Sequence, residues 1–281
     1  MTIQAKKSLG QNFLKNDGVL QKIADAGNIS INDIILEIGP GEGALTKKLL
    51  EKAGKVIAVE KDDRLIEILK EKFSKEISEN RFVLIHGDIL ELEIGKTGDK
   101  QSSLGLTAHK YKLLANIPYY ITGLIFRKFL ESDCQPETAV LLVQKEVADR
   151  VMARDGKESL LSLSVKAYGK PSFVAKVSKG SFVPAPTVDS AILLIENISK
   201  EFFASFQGSA SKLEKDFFEI LKAGFAHKRK ILISNLKDYF EKNGNGKILS
   251  ETFTDINLPQ KIRAEDLKLE DWKKLLTEVK K

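Results

Sequence analysis

The sequence predicts an α/β protein, with a mostly parallel sheet in its first two thirds and a smaller helical region after it. Three observations carry that expectation. Short β-branched runs alternate with amphipathic stretches from residue 34 to residue 143, the pattern of repeated strand–helix–strand units. Two further apolar runs, 173–177 and 191–195, stand too close together for a helical crossover and should finish the sheet in an antiparallel sense. From about Ser199 the apolar spacing becomes helical, which places a domain boundary there and divides the chain into 1–198 and 199–281.

The elements follow in order. Ile34-Ile35-Leu36-Glu37-Ile38 is a buried strand, and Ala44 to Lys52 the helix behind it. Val56-Ile57-Ala58-Val59 is the second strand, followed by a helix over Arg64 to Phe73. Phe82-Val83-Leu84-Ile85-His86 is the third and Lys112 to Ala115 the fourth, with a helix over Leu124 to Leu130 and a fifth strand over Ala139 to Val143. Ile94 to His109 is rich in Gly, Ser, Thr and Lys and predicts an exposed loop. In the second region helices are expected over Leu213 to Ala223, over Lys230 to Phe240 and around Trp272, punctuated by Gly244-Asn245-Gly246.

Composition narrows the class. A chain of 281 residues with 42% hydrophobic content can bury a substantial core. Its single cysteine, Cys134, allows no intrachain disulfide, which fits a reducing compartment and an expected cytoplasmic location. The start, Met1 to Lys7, lacks the apolar core of a signal peptide, and no apolar run reaches the length of a membrane span. There are 45 basic and 39 acidic residues, a net +6 that is compatible with a nucleic-acid partner without requiring one. Lys6, Lys7 and Lys15 surround the amino-terminal arm, and Lys228-Arg229-Lys230 forms a tight cluster late in the chain. Alone, such a run reads as a solvated helix face. His86, His109 and His227 have no metal-ligand spacing, so no metal is expected.

Chemistry concentrates at the predicted strand ends. The first strand runs into Gly39-Pro40-Gly41-Glu42-Gly43, where glycines let the backbone turn sharply beside a ligand. Gly39, Gly41 and Ala44 also fit a dinucleotide fingerprint, so a nicotinamide enzyme is a rival at this point. Glu60, ending the second strand, suits a ribose in either case. Two further features decide. The third strand ends in Gly87-Asp88, a second carboxylate at the same sheet edge, although an Asp there also reads as a turn cap. The fourth ends in Asn116-Ile117-Pro118-Tyr119. An amide acceptor, a stiff turn with a neighbouring carbonyl, and an aromatic face suit a planar exocyclic amine. Glu60 on the ribose, Asp88 on the adenine amine and a glycine turn against an amino-acid moiety describe S-adenosyl-L-methionine.

These residues resemble the ribosomal RNA adenine N6,N6-dimethyltransferases of the KsgA/RsmA family, and the resemblance covers nearly the whole chain. It is carried by Lys7 to Leu14, Glu37 to Gly43, Val59-Glu60, Gly87-Asp88, Asn116 to Tyr120, Gln144 to Ala148, Phe182 to Ala191, Phe225 to Lys230 and Arg263 to Leu267. It implies a Rossmann-like class I methyltransferase sheet with a smaller helical RNA-binding domain. It implies cofactor contacts at Asn12, Leu14, Gly39, Gly41, Glu60, Asp88 and Asn116, and catalytic roles for Asn116, Tyr119 and Phe182. Phe182, which by itself reads as a packed loop anchor before Pro-x-Pro, becomes the second face of a sandwich holding the target adenine against Tyr119. Lys228, Arg229 and Lys230 become part of an RNA footprint. The chain departs from the family at Glu158 to Leu161 and in the length of the 94–109 loop.

The expected reaction is dimethylation of two adjacent adenines in the 3′-terminal hairpin of small-subunit ribosomal RNA, by a monomer acting on an immature small ribosomal subunit. The alternatives are a large-subunit adenine N6-methyltransferase of the macrolide-resistance type, and a non-catalytic ribosome-assembly factor. The Val188 to Ala191 block and the basic cluster favour the first reading, and the presence of Glu60, Asp88 and Asn116 favours an enzyme.

Overall fold

The computed structural model describes residues 4–95, 104, 106–108, 110–204, 210–242 and 249–279. The chain forms two compact units. The first comprises 1–148 and 170–198, the second 149–169 and 199–281. A boundary at Ser199 therefore recurs, but residues 149–169, expected within the first domain, belong to the second unit. Their polar anchor explains this: Glu158 is buried and receives Lys166 Nζ at 2.8 Å on each carboxylate oxygen and Lys268 Nζ at 3.4 Å.

In chain order the elements are β1 (Phe13–Leu14), α1 (Asp17–Ala26), β2 (Ile34–Ile38), α2 (Ala44–Leu50), β3 (Lys55–Glu60), α3 (Asp63–Lys72), α4 (Ser74–Ser78), β4 (Phe82–His86), β5 (Lys112–Asn116), α5 (Thr122–Leu130), β6 (Thr138–Gln144) and α6 (Lys145–Met152). Then come α7 (Leu160–Lys166), β7 (Lys170–Val177), β8 (Phe182–Val183), β9 (Ser190–Glu196), α8 (Glu201–Ala204), α9 (Ala210–Gly224), α10 (Leu232–Lys242), α11 (Leu249–Asp255) and α12 (Leu269–Val279).

The first unit is a seven-stranded sheet in the order β4-β3-β2-β5-β6-β9-β7. Strands β4 to β6 are parallel, while β9 pairs antiparallel with both β6 and β7, as the short spacing of those runs predicts. The parallel strands are apolar on both faces because helices cover both. Chain order reverses between β2 and β5, so their carboxyl ends flank the switch-point crevice where open α/β sheets bind ligands. Lys112, buried at the start of β5, is neutralised by Asp33 at 3.0 Å and donates to Asn28 O at 2.8 Å.

Most of the 94–109 loop (96–103, 105 and 109) lies outside the described residues. Its described part is not exposed throughout: Leu104 and Leu106 are buried, and Cys134 Sγ donates to Leu106 O at 3.1 Å.

The second unit is helical around Phe217, Leu221, Leu236, Phe240, Phe253 and Trp272, all fully buried. Helix α9 ends at Gly224, where a Cβ would stand 2.3 Å from the Trp272 ring. The next helix was expected from Lys230 but begins at Leu232. Asn235 Nδ2 donates to Gly224 O at 2.6 Å and to His227 O at 3.1 Å, which holds residues 225–230 in a turn.

Candidate active site

The carboxyl ends of β2, β3, β4 and β5 converge on a cleft of about 260 Å³. Gly39, Gly41, Glu60, Asp88, Asn116, Tyr119 and Asn12 all line it, so residues up to 107 positions apart in sequence are brought together (Asn12 to Tyr119). Gly39 has φ +64° and open space where a Cβ would project. Gly43, with φ +74°, faces the Phe73 ring, 2.5 Å from where its Cβ would be. The first glycine thus leaves room for a ligand, and the second lets α2 start close against the core.

The carboxylates are held by backbone. Glu60, 5% exposed, accepts from Gly41 N at 3.1 Å and from Asp62 N at 2.8 Å. Burial pushes its carboxyl above the ordinary value, against those two hydrogen bonds. Glu37, on β2, is fully buried and receives Thr46 Oγ1 at 2.7 Å. Burial raises it to about 8, opposed by the Thr46 hydroxyl and helped by the neighbouring Glu60. Asp88 sits at the cleft and caps the turn after β4. It lines the cleft, and its Oδ1 also caps the Leu90 N–H at 2.9 Å, while Oδ2 meets Lys61 Nζ at 2.7 Å. Burial alone would raise its carboxyl, but Lys61 and the Leu90 N–H carry it below the usual value.

Asn116 ends β5, and its Nδ2 donates to Asn12 O at 3.1 Å. That donor fixes which way the amide points. Among the described residues its Oδ1 has no hydrogen-bond donor. The proline turn follows, and Pro118 O is taken by Ile121 N at 3.2 Å, which leaves the Ile117 carbonyl as the neighbouring acceptor. Tyr119 is anchored by a 2.6 Å hydrogen bond between its hydroxyl and Ser190 Oγ. Burial pushes its phenol up, so the ring is neutral and offers a face, not a base.

Two expected residues do not reach the cleft. Phe182 is 3% exposed and packs in the core with Leu14, Leu20 and Ile192. Strand β8 pairs with β1, Leu14 opposite Phe182, and the two-residue alternation turns Phe182 inward while Val183 faces out at 57% exposure. Phe182 is thus packed into the core and is not among the residues lining the cleft. Leu14 is 4% exposed and borders a small hollow of about 40 Å³ beside Gly39 and Asn116.

Sequence reasoning missed the fastening of the amino-terminal arm. Leu9 to Phe13 form one wall of the cleft. Asp62, 1% exposed, accepts from Gln11 Nε2 at 2.8 Å, Lys6 Nζ at 3.1 Å and Arg64 Nη2 at 2.6 Å, which holds its carboxyl well below the usual range. The only sequence signal was an acid two residues after Glu60. Exposed Tyr120 and Leu124 at the rim were also missed. Among the described residues no three of His, Cys, Asp and Glu gather as a metal site, and no helix is long and apolar enough to cross a membrane.

In the second unit Lys228, Arg229 and Lys230 are exposed in the turn before α10, not on the helix itself.

With this geometry in place, comparison decides the family. Residues 2–281 match the family described as ribosomal RNA adenine dimethylase. The chain belongs to that family. It is 43% identical over 278 residues to ribosomal RNA small subunit methyltransferase A of Dehalococcoides mccartyi, covering 99% of this chain and 89% of that one. It is 40% identical to the protein of the same name from Mycoplasmopsis pulmonis, covering 99% and 100%. Among solved structures, a dimethyladenosine transferase from Plasmodium falciparum superposes with a TM-score of 0.78 at 29% identity, covering 95% and 97%. The 23S rRNA methyltransferase ErmE superposes at 0.72 with 24% identity, covering 96% and 100%, a likeness of fold. This member of the dimethylase family is thus a class I methyltransferase enzyme, and methyltransferases of this fold use S-adenosylmethionine in general.

Proposed function

We propose that this protein transfers methyl groups from S-adenosyl-L-methionine to the N6 amines of two adjacent adenines in the 3′-terminal hairpin of small-subunit ribosomal RNA, during assembly of the subunit. The observation that carries the reading is the gathering of Gly39, Glu60, Asp88 and Asn116 around one cleft, with the Asn116 amide oriented by Asn12 O and its Oδ1 unengaged.

The residues fit the cofactor. The open space at Gly39 admits the amino-acid portion, Glu60 retains lone pairs for ribose hydroxyls, and Asp88 stands ready for the adenine amine. When bound, the cofactor supplies an electrophilic methyl on a sulfonium. Everything else is positioning by the chain. The adenine amine is a weak nucleophile because its lone pair is delocalised into the ring. Asn116 Oδ1 and the Ile117 carbonyl accept its two hydrogens and localise that lone pair towards the methyl. Tyr119, held by Ser190, stacks on the base and offsets the loss of its neighbours in the RNA. Orientation provides most of the acceleration, and the proton released after transfer goes to water. The exposed cations at 228–230 bind phosphates.

The test is transfer of radiolabelled methyl to small subunits lacking these modifications, with primer extension to locate the products. Stops at the two adjacent hairpin adenines are expected. Methylation of large-subunit RNA instead would transfer the reading to the macrolide-resistance type, and no transfer to either would remove it.

A further inference from the structure

Two of the few large apolar side chains left exposed on the described surface, Tyr120 at 63% and Leu124 at 51%, stand together at the rim of the cleft. Tyr120 directly follows the aromatic that faces the target. One edge of its ring lies against Gly10, where a Cβ would come within 3.1 Å of Cε1, and the rest of the ring is open. Leu124, in the first turn of α5, is shared between the cleft and a second, shallower groove of about 470 Å³. That groove continues along α5 to Arg127, whose side chain is 71% exposed. Arg127 Nε pairs with Glu131 at 3.1 Å, an exposed i,i+4 contact that is weak enough to be exchanged for a phosphate. Leu124 and Arg127 share that groove along α5, and Tyr120, in the turn before the helix, shares the cleft rim with Leu124, so an aromatic plane, an aliphatic surface and a cation follow in order away from the cleft.

We propose that this face is a subsite for the nucleotide adjoining the target adenine: its base stacks on Tyr120 against Leu124, and its phosphate pairs with Arg127. The inference rests on the RNA reading above. A base drawn into the cleft remains covalently joined to a neighbour that has lost a stacking partner, and that neighbour must lie along the rim. The cofactor does not account for Arg127, since the groove it lines continues beyond the cleft. The subsite also bears on the chemistry of a pair of adenines: while one occupies the cleft, the other occupies the rim.

The experiment compares wild type with Tyr120→Ala, Leu124→Ser and Arg127→Ala. One readout is methyl transfer to unmodified small subunits. The other is fluorescence of a hairpin RNA carrying 2-aminopurine next to the target, with S-adenosylhomocysteine present. Stacking on an aromatic side chain is worth about tenfold in affinity. Tyr120→Ala and Leu124→Ser should raise KM for subunits by about that factor and abolish the quenching of 2-aminopurine seen with wild type. Arg127→Ala should lower the salt slope of RNA binding by about one unit. A wild type that methylates subunits, with all three variants matching it in KM, quenching and salt slope, overturns the subsite alone. Quenching lost only when 2-aminopurine replaces the target itself assigns Tyr120 to the cleft and also overturns it. A wild type that methylates no subunit overturns the RNA reading and the subsite together.

Discussion

The sheet edge of the first unit and the turn at 225–230 of the second hold their functional groups in opposite ways. At the sheet edge the side chains themselves are fixed. Glu60 is held by two backbone N–H groups, Asn116 donates to a carbonyl, and the Tyr119 hydroxyl is tied to Ser190. In the turn it is the backbone that is fixed, by Asn235 on Gly224 O and His227 O and by Phe225 stacked at 5.8 Å on Trp272, while Lys228, Arg229 and Lys230 project freely. The difference follows from the ligands proposed for each. A transferred methyl group demands atoms placed within fractions of an ångström. A phosphate chain demands charge at about the right place, from side chains that can follow it.

Asn116→Ala should give the largest effect, because it removes the acceptor aimed at the reacting amine. We expect kcat to fall on the order of a hundredfold or more, with RNA affinity nearly unchanged. Parallel losses in both would show that Asn116 only shapes the turn, and the contrast between the two regions would lose its strongest case.

Glu60→Ala comes next. It removes the ribose acceptor and leaves the ribose hydroxyls unpaired, at a cost of about 1–3 kcal/mol in cofactor affinity. Calorimetry with S-adenosylhomocysteine measures it, and an unchanged Kd would take Glu60 out of the site.

Much of this site was legible in sequence, and the reason is local. Each strand end carries its own motif, and a parallel sheet places strand ends side by side. The strands at 34–38 and 82–86 fall where the sequence puts them. What could not be read was long-range. Nothing near Asp62 announces that Gln11 and Lys6 will reach it across some fifty residues. Phe182 sits in a block that resembles a family motif, yet its burial is decided by pairing with Leu14, far away in the chain. The start of α10 was misplaced because Asn235 reaches back to cap carbonyls before it, an interaction invisible to periodicity.

The basic turn gives the third prediction. Replacing Lys228, Arg229 and Lys230 together by Ala should weaken binding to small subunits, with cofactor affinity unchanged. The salt slope should fall by about one unit for each phosphate that is no longer neutralised. Because the cations lie in the turn, not on α10, helicity should not change, and circular dichroism checks that. The same affinity and the same slope would reduce the cluster to solvated surface.

The smallest effect on methyl transfer is expected at Glu37, and it probes how the sheet edge tolerates its acids. Burial raises this carboxyl to about 8, so at pH 7 it is a neutral partner of Thr46 and not a charge. Its unfolded value is near 4.5, so between about pH 4.5 and 8 the folded chain keeps a proton that the unfolded chain has released. Stability therefore falls as pH rises through that window and levels off above it. Glu37→Gln mimics the protonated form and cannot ionise. Near pH 4.5, where the wild type still holds the proton, it should change stability by about 1 kcal/mol or less. Between pH 5 and 8.5 it should gain steadily on the wild type, because only the wild type pays for an ionising buried acid. Thermal melting of both proteins across that range measures the difference. Parallel curves would mean that Glu37 is already charged at pH 5, and that the edge holds it as it holds Asp62, by donors and cations instead of by a retained proton.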